Sequence, residues 1–219
     1  MSNSHERRGV MLVVSSPSGA GKTTLCRRIL EEMDDAVLSI SATTRDIRPD
    51  EADGVHYHFK DKAGFQSMIA GDEFLEWALV HEHYYGTPRG QVEAHLRAGI
   101  DVVFDVDWQG ARAMKQAMPG DVASVFVLPP SIPELQARLE GRPGATDIGV
   151  AKRLAGAARD IRRWGEYDYA IVNDDIDEAY EELRAILISE RSRRRLPSLG
   201  ARVDKLLDDA EAVAAKVGA

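Results

Sequence analysis

Apolar positions along this chain follow two rhythms. Short runs rich in β-branched residues recur, and between them apolar residues fall three and four apart, the period of a helix with one buried face. The runs predict strands at Val10 to Val14, Ala36 to Ile40, Asp101 to Asp105, Ala123 to Leu128 and Tyr169 to Val172. The wider spacing predicts helices at Lys22 to Met33, Gln91 to Ala98, Gln109 to Ala117, Ile132 to Leu139, Ala151 to Trp164 and Asp177 to Arg195. Strands that alternate with helices imply an α/β domain with a mainly parallel sheet. Three stretches break the rhythm. From Ser41 to Gly90, scattered aromatics, glycines and alternating pairs such as His56-Tyr57-His58-Phe59 predict an inserted lobe with short antiparallel strands. Glu140 to Gly149, rich in glycine and proline between two helices, reads as a mobile loop or lid. Beyond Pro197 one further amphipathic helix is expected.

Composition narrows the partners. With 219 residues, 44% of them hydrophobic, the chain is long enough for one substantial core. Its 28 basic against 36 acidic side chains leave a net charge of -8, so the overall field does not attract nucleic acid or an anionic membrane, and any anion site must be local. Cys26 is the single cysteine, which excludes an internal disulfide framework and suits a reducing compartment. No apolar run approaches a membrane span, and the polar opening MSNSHERRG lacks a secretory core, so a soluble cytoplasmic protein is expected.

The local anion site is the stretch SSPSGAGKTT, Ser15 to Thr24, between the first strand and the first helix. It matches the phosphate-loop pattern G-x-x-x-x-G-K-[ST] everywhere except its first position, which holds Ser16. Such a loop turns successive backbone N–H groups toward phosphate oxygens and enters a helix by its positive end. Gly21 allows close approach, Lys22 reaches the terminal phosphates and Thr23 offers a hydroxyl to Mg²⁺. The expected triphosphate contacts are Ser18, Gly19, Ala20, Gly21, Lys22, Thr23 and Thr24. Asp105 ends a strand where a carboxylate holds Mg²⁺ through water, although either Asp105 or Asp107 could instead cap the following helix. Arg45 and Arg48, three apart beyond a strand, could converge on a phosphate dianion, or could be solvated and paired with Asp46 or Asp50. The pairs His56-x-His58 and His81-x-His83 have metal-ligand spacing but no thiolates or matching carboxylates, and no structural zinc is expected.

Seven segments together say more than the loop alone. SPSGAGKTT, SATTRDIRP, GVHYHF, FLEWA, YYGT, DVDWQG and IVNDD resemble the guanylate kinases in order and spacing, from about Val10 to Arg195. The resemblance implies a P-loop NTPase-type three-layer core with a parallel sheet (1–40, 91–139 and 150–219), an inserted mixed α/β lobe for GMP (41–90) and a short lid (140–149). It implies transfer of the γ-phosphoryl group of ATP to GMP, with dGMP as a further acceptor, giving ADP and the nucleoside diphosphate with Mg²⁺. It assigns the guanine to Glu76, Ser41, Thr87 and Asp107, and the acceptor phosphate to Arg45, Arg48, Tyr57 and Tyr85. Lys22, Arg48 and the two lid arginines Arg142 and Arg153 become the catalytic cations, Arg138 a helper, and Asn173 and Asp174 the border of the adenine. Residue chemistry agrees at Glu76, since a carboxylate only accepts and guanine presents two adjacent donors where adenine does not. The lid departs from the family in Pro143, where glycine is usual, and in Asp147-Ile148, where an acidic pair is common. A non-catalytic relative that binds protein partners and a kinase for another acceptor stay open. The presence of Lys22, Thr23, Arg45, Arg48, Arg142 and Arg153 together argues for an enzyme.

Overall fold

The computed structural model describes residues 7–80, 82–141, 146–193 and 199–217. Strand β1 (Met11–Ser15) is buried throughout, because the sheet around it is covered on both faces. Side chains of a strand alternate, and here each set meets different helices. Leu12 and Val14 pack with Leu25 and Ile29 of α1 (Lys22–Glu32), while Met11 and Val13 face the other way. After α1 the chain runs through β2 (Ala36–Leu38), β3 (Ala42–Thr43), β4 (His58–Phe59), α2 (Lys62–Ala70), β5 (Phe74–Val80), β6 (His83–Pro88) and α3 (Arg89–Arg97). It returns to the core as β7 (Asp101–Asp105), α4 (Trp108–Ala117), β8 (Val122–Leu128), α5 (Ile132–Glu140), α6 (Asp147–Ile161), β9 (Tyr169–Val172), α7 (Ile176–Arg193) and α8 (Gly200–Val217).

The core sheet has the order β2-β7-β1-β8-β9, with every pairing parallel. Tyr180, Leu183 and Leu187 of α7 join α1 on one face; Val92 and Leu96 of α3 and Ala111 and Met114 of α4 cover the other. The result is three layers. Asp101, wholly buried at the start of β7, accepts from Arg7 at 2.6 Å, the Val10 N–H at 2.8 Å and Arg191 at 2.5 Å, tying β7 to the chain before β1 and to α7. A buried carboxylate is tolerated only with such partners. Among the described residues, no helix is long and apolar enough to cross a membrane.

The second sheet has the order β4-β3-β6-β5 and differs from the sequence expectation in one pairing. The β3–β6 and β5–β6 pairs are antiparallel, but β3 and β4 run parallel, because residues 44 to 57 carry the chain back before it pairs. The lobe also contains α2, as the mixed α/β lobe implied by the resemblance requires, although the local glycine-rich pattern alone does not point to it. Asp61 caps it by accepting from the Gly64 N–H at 2.7 Å, and Phe65 stacks on Phe74 and Tyr84 with centroids 4.4 and 5.3 Å away. Two core boundaries move as well. β2 stops at Leu38 rather than Ile40, as the chain leaves for β3. α6 starts at Asp147 rather than Ala151, capped by Thr146, and ends at Ile161, so that Trp164 falls in a short 3-10 turn, Trp164–Glu166. Residues 147–149 of the expected lid are therefore helical; Arg142 and Pro143 lie outside the described residues.

Candidate active site

The phosphate loop leaves β1 at the carboxyl edge of the parallel sheet, where open α/β sheets hold ligands. Gly19 and Gly21 both have φ of 98°, a left-handed conformation that a side chain strains, and Gly21 caps the N-terminus of α1. A cleft of about 390 Å³ opens there, lined by Ser16, Ser18, Gly19, Gly21, Lys22, Thr23 and Thr24 and, opposite them, by Asp105, Asp107 and Asp160. Ala20 is buried. Lys22 Nζ lies 2.5 Å from Asp105 Oδ1 and donates to the Val106 carbonyl at 3.0 Å, and Thr23 Oγ1 donates to Asp105 Oδ2 at 2.6 Å. The two acids of DVD divide the work: Asp105 meets the loop, and Asp107 caps α4 by accepting from the N–H groups of Gln109 and Gly110 at 3.0 Å each.

A second groove of about 500 Å³ adjoins the loop, lined by Gly19, Gly21, Thr24, Arg138, Asn173, Asp174 and Ile176. Asp174 lines this groove, but the Asn173 side chain turns into the protein and donates to the Ala20 carbonyl at 2.7 Å. Arg138 donates to the Asn173 carbonyl and to Glu134. Cys26, one turn into α1, is a packed core residue whose thiol is pushed up to about 12 by burial and so stays protonated at neutral pH.

On the lobe, Glu76 of β5 stands across from Thr87 of β6, and its carboxylate accepts the threonine hydroxyl at 2.7 Å. Burial holds the Glu76 carboxyl above the usual carboxylate range; the Thr87 bond opposes this and the charge of Asp107 adds to it. The acid of the lobe is thus within electrostatic reach of the acid beside the phosphate loop. Arg45, Tyr57 and Tyr85 form one cluster: the guanidinium lies 5.5 Å from the Tyr57 ring centroid, and Tyr57 meets Tyr85 edge-on at 6.0 Å. Arg45 is paired not with Asp46 or Asp50 but with Glu51, at 2.6 and 2.9 Å, and it also donates to the Asp46 carbonyl. Glu51 further accepts from the Arg48 N–H at 2.9 Å; the Arg48 side chain itself is exposed. Ser41 is half-buried, and its carbonyl accepts from the His58 N–H. Arg153 is exposed on α6 and is not among the residues lining the loop cleft. Of the histidines, His56 accepts from the Ala52 N–H and His58 pairs with Gln91, while His81 lies outside the described residues.

Two acids of the site escaped the sequence reading. Glu51 follows the second arginine by three residues, a spacing that allows it to close a turn onto the Arg48 N–H. Asp160 lies two turns beyond Arg153, seven residues on and hence on the same face of α6. Burial raises the Asp160 carboxyl, Arg159 lowers it, Asp107 raises it and Lys22 lowers it, in that order of weight.

A family model described as guanylate kinase matches residues 8–190. The guanylate kinase of Hyphomonas neptunium is 59% identical over 188 residues, 86% of this chain and 87% of that protein. The guanylate kinase of Rhizobium meliloti is 50% identical over 204 residues, 93% of either chain. Among solved structures, the crystal structure of guanylate kinase from Anaplasma phagocytophilum superposes with a TM-score of 0.68 at 33% identity, covering 92% of this chain and 98% of that one. The matched stretch carries both sheets and every residue that lines the loop cleft, and the chain belongs to the guanylate kinase family.

Proposed function

We propose that this chain transfers the γ-phosphoryl group of ATP to GMP, with the phosphate loop as the donor site and the lobe as the acceptor site. Glu76 carries the choice of base. Half-buried and held by Thr87, it offers an acceptor-only edge that meets the N1–H and 2-amino donors of guanine and would be left facing an acceptor on adenine. Mismatch of that kind discriminates by about 10⁴ to 10⁵. Asp107 and Ser41 complete the base pocket, and Arg45, Arg48, Tyr57 and Tyr85 take the acceptor phosphate, where an oxyanion would compete with Glu51 for Arg45.

On the donor side, Lys22 would exchange Asp105 for phosphate oxygens, and the loop N–H groups would hold the rest of the triphosphate. Thr23 and Asp105 present hard oxygen donors 2.6 Å apart, the donor type that magnesium takes, and these two residues would hold it. Bound there, Mg²⁺ supplies charge neutralisation at the phosphate oxygens. Phosphoryl transfer needs two anions brought in line more than it needs covalent help from the protein, so Arg142 and Arg153 are assigned to the transferring group. With 147–149 helical, Arg153 stands in the second turn of α6 rather than in its first. A coupled assay with ATP, Mg²⁺ and a panel of GMP, dGMP, AMP and UMP tests this. Turnover of the guanine nucleotides far above the others is expected; equal turnover of AMP removes the role of Glu76, and no turnover of any leaves a binding module.

A further inference from the structure

We propose that Asn173 is a positioning residue for the triphosphate, acting through the shape of the phosphate loop and not by touching the adenine. Asn173 is 3% exposed, and its Nδ2 donates to the carbonyl of Ala20, the residue between the two left-handed glycines. Consecutive N–H groups face an anion only while Gly19 and Gly21 keep φ at 98°, and such backbone persists only where its surroundings hold it. The Asn173 amide holds the Ala20 carbonyl from one side, while the Ala20 N–H donates to the Pro17 carbonyl at 3.2 Å within the loop. Steric fit says the same, since a Cβ on Gly21 would come within 2.1 Å of Asn173 Nδ2; the glycine and the amide fill one space as a pair.

Asn173 is itself fixed through both of its backbone polar groups. Its N–H donates to the Leu128 carbonyl at 2.8 Å, which keeps it in line with β8. Its carbonyl accepts from both terminal nitrogens of Arg138 at 3.3 Å, and Arg138 is anchored in turn by Glu134 one helical turn away on α5. The amide orientation follows from its partner, because an oxygen in the place of Nδ2 would face another carbonyl oxygen. Arg138 thereby supports the loop from the side of α5.

The inference rests on the donor site proposed above, and a base-free ligand separates a loop role from a base contact. Affinities for Mg-ATP, Mg-tripolyphosphate and GMP are measured by calorimetry on the full chain and on Asn173→Ala, with circular dichroism melting alongside. ATP and tripolyphosphate are both expected to weaken, by a similar factor of about tenfold or more, with GMP affinity unchanged. Loss for ATP with tripolyphosphate unchanged would assign Asn173 to the adenine and overturn the proposal. Equal loss for GMP would reduce it to general disorder, also overturning it. Asn173→Ser, whose hydroxyl is too short to reach Ala20, carries the same expectation should the alanine variant not fold. Failure of the wild-type chain to phosphorylate GMP would sink the proposed acceptor while leaving the tripolyphosphate comparison intact.

Discussion

In the proposed assignment the phosphate loop and the lobe hold anions by opposite means. In the loop the binding falls to the backbone: two left-handed glycines, a helix N-terminus and a buried amide beneath them, with Lys22 the one cation among the described residues of the cleft wall. In the lobe it falls to the side chains: Arg45 just beyond β3, Tyr57 just before β4 and Tyr85 on β6 converge in a lobe whose small core is Ala42, Phe65 and Phe74. A backbone site suits a partner recognised by its phosphates alone, because every residue supplies the same N–H. A side-chain site suits a partner that must be told from close analogues, because each side chain can refuse something. The donor half should therefore fail at a few points and steeply, and the acceptor half by degrees.

The steepest effect is expected at Lys22. Lys22→Met removes the charge that answers the triphosphate while leaving the loop backbone in place. A fall in kcat of about 10² to 10³ is expected, the cost of losing one preorganised electrostatic partner of the reacting group. GMP affinity, measured by calorimetry, should not move. A parallel loss of GMP binding would show that the two halves are not separate sites.

Next comes Glu76→Gln, which breaks the acceptor half at the base. The KM for GMP should rise by about tenfold to a hundredfold, the range for a hydrogen bond to a charged group, with the KM for ATP unchanged. Its pH behaviour sharpens the point. Burial raises the Glu76 carboxyl, and recognition of two guanine donors needs the anion, so GMP binding should begin to weaken at a higher pH than an ordinary carboxylate would give. Stability runs the other way. A carboxyl raised on folding disfavours the charged form, so Glu76 costs stability at neutral pH, and the cost disappears as pH falls through the folded value. Glu76→Gln should accordingly melt higher than the wild-type chain at pH 7, with the gap closing in acid. Calorimetric melts at the two pH values check the sign.

The same division explains what could be read from the sequence. The donor loop was legible because its strand, glycines, Lys22, Thr23 and helix are contiguous, so local chemistry and local structure coincide. The core sheet was legible because β1, β7 and β8 are buried on both faces and read as near-continuous apolar runs. α2 left a fainter signal in Asp61 as cap with Phe65, Met68 and Ile69 at helical spacing, hidden by Gly64 and Gly71 at its ends. The parallel pairing of β3 with β4 has no local signature, since a two-residue strand is defined by its neighbour. Asn173 could be found as a motif residue but not as a strut: its partner Ala20 is 153 positions away, and only the folded chain joins them.

Within the phosphate cluster a smaller effect is expected. Tyr57→Phe removes a hydroxyl but keeps the ring beneath Arg45 and against Tyr85. One donor to a charged phosphate is lost while Arg45, Arg48 and Tyr85 remain, so the KM for GMP should rise by about tenfold, the low end for a bond to a charged group, with kcat nearly unchanged. A change in kcat as large as that of Lys22→Met would mean that the tyrosine touches the transferring group and that the halves share more than the comparison allows.

The smallest effect is expected outside both halves. Helix α8 places Val203, Leu206, Leu207 and Val213 in solvent, and its described side chains from 202 to 214 are all exposed. The family match ends at residue 190, before α8 begins, and no described side chain of α8 lines the cleft or its adjoining groove. Truncation after residue 199 removes no contact to Lys22, Glu76 or Arg45, and exposed positions without buried partners change stability by about 0.5 kcal/mol or less. The truncated chain should keep kcat and both KM values within about twofold, that energy being close to a factor of two in an equilibrium constant. A larger loss would place α8 against one of the two sites during turnover, and which KM moved would say whether it serves the backbone half or the side-chain half.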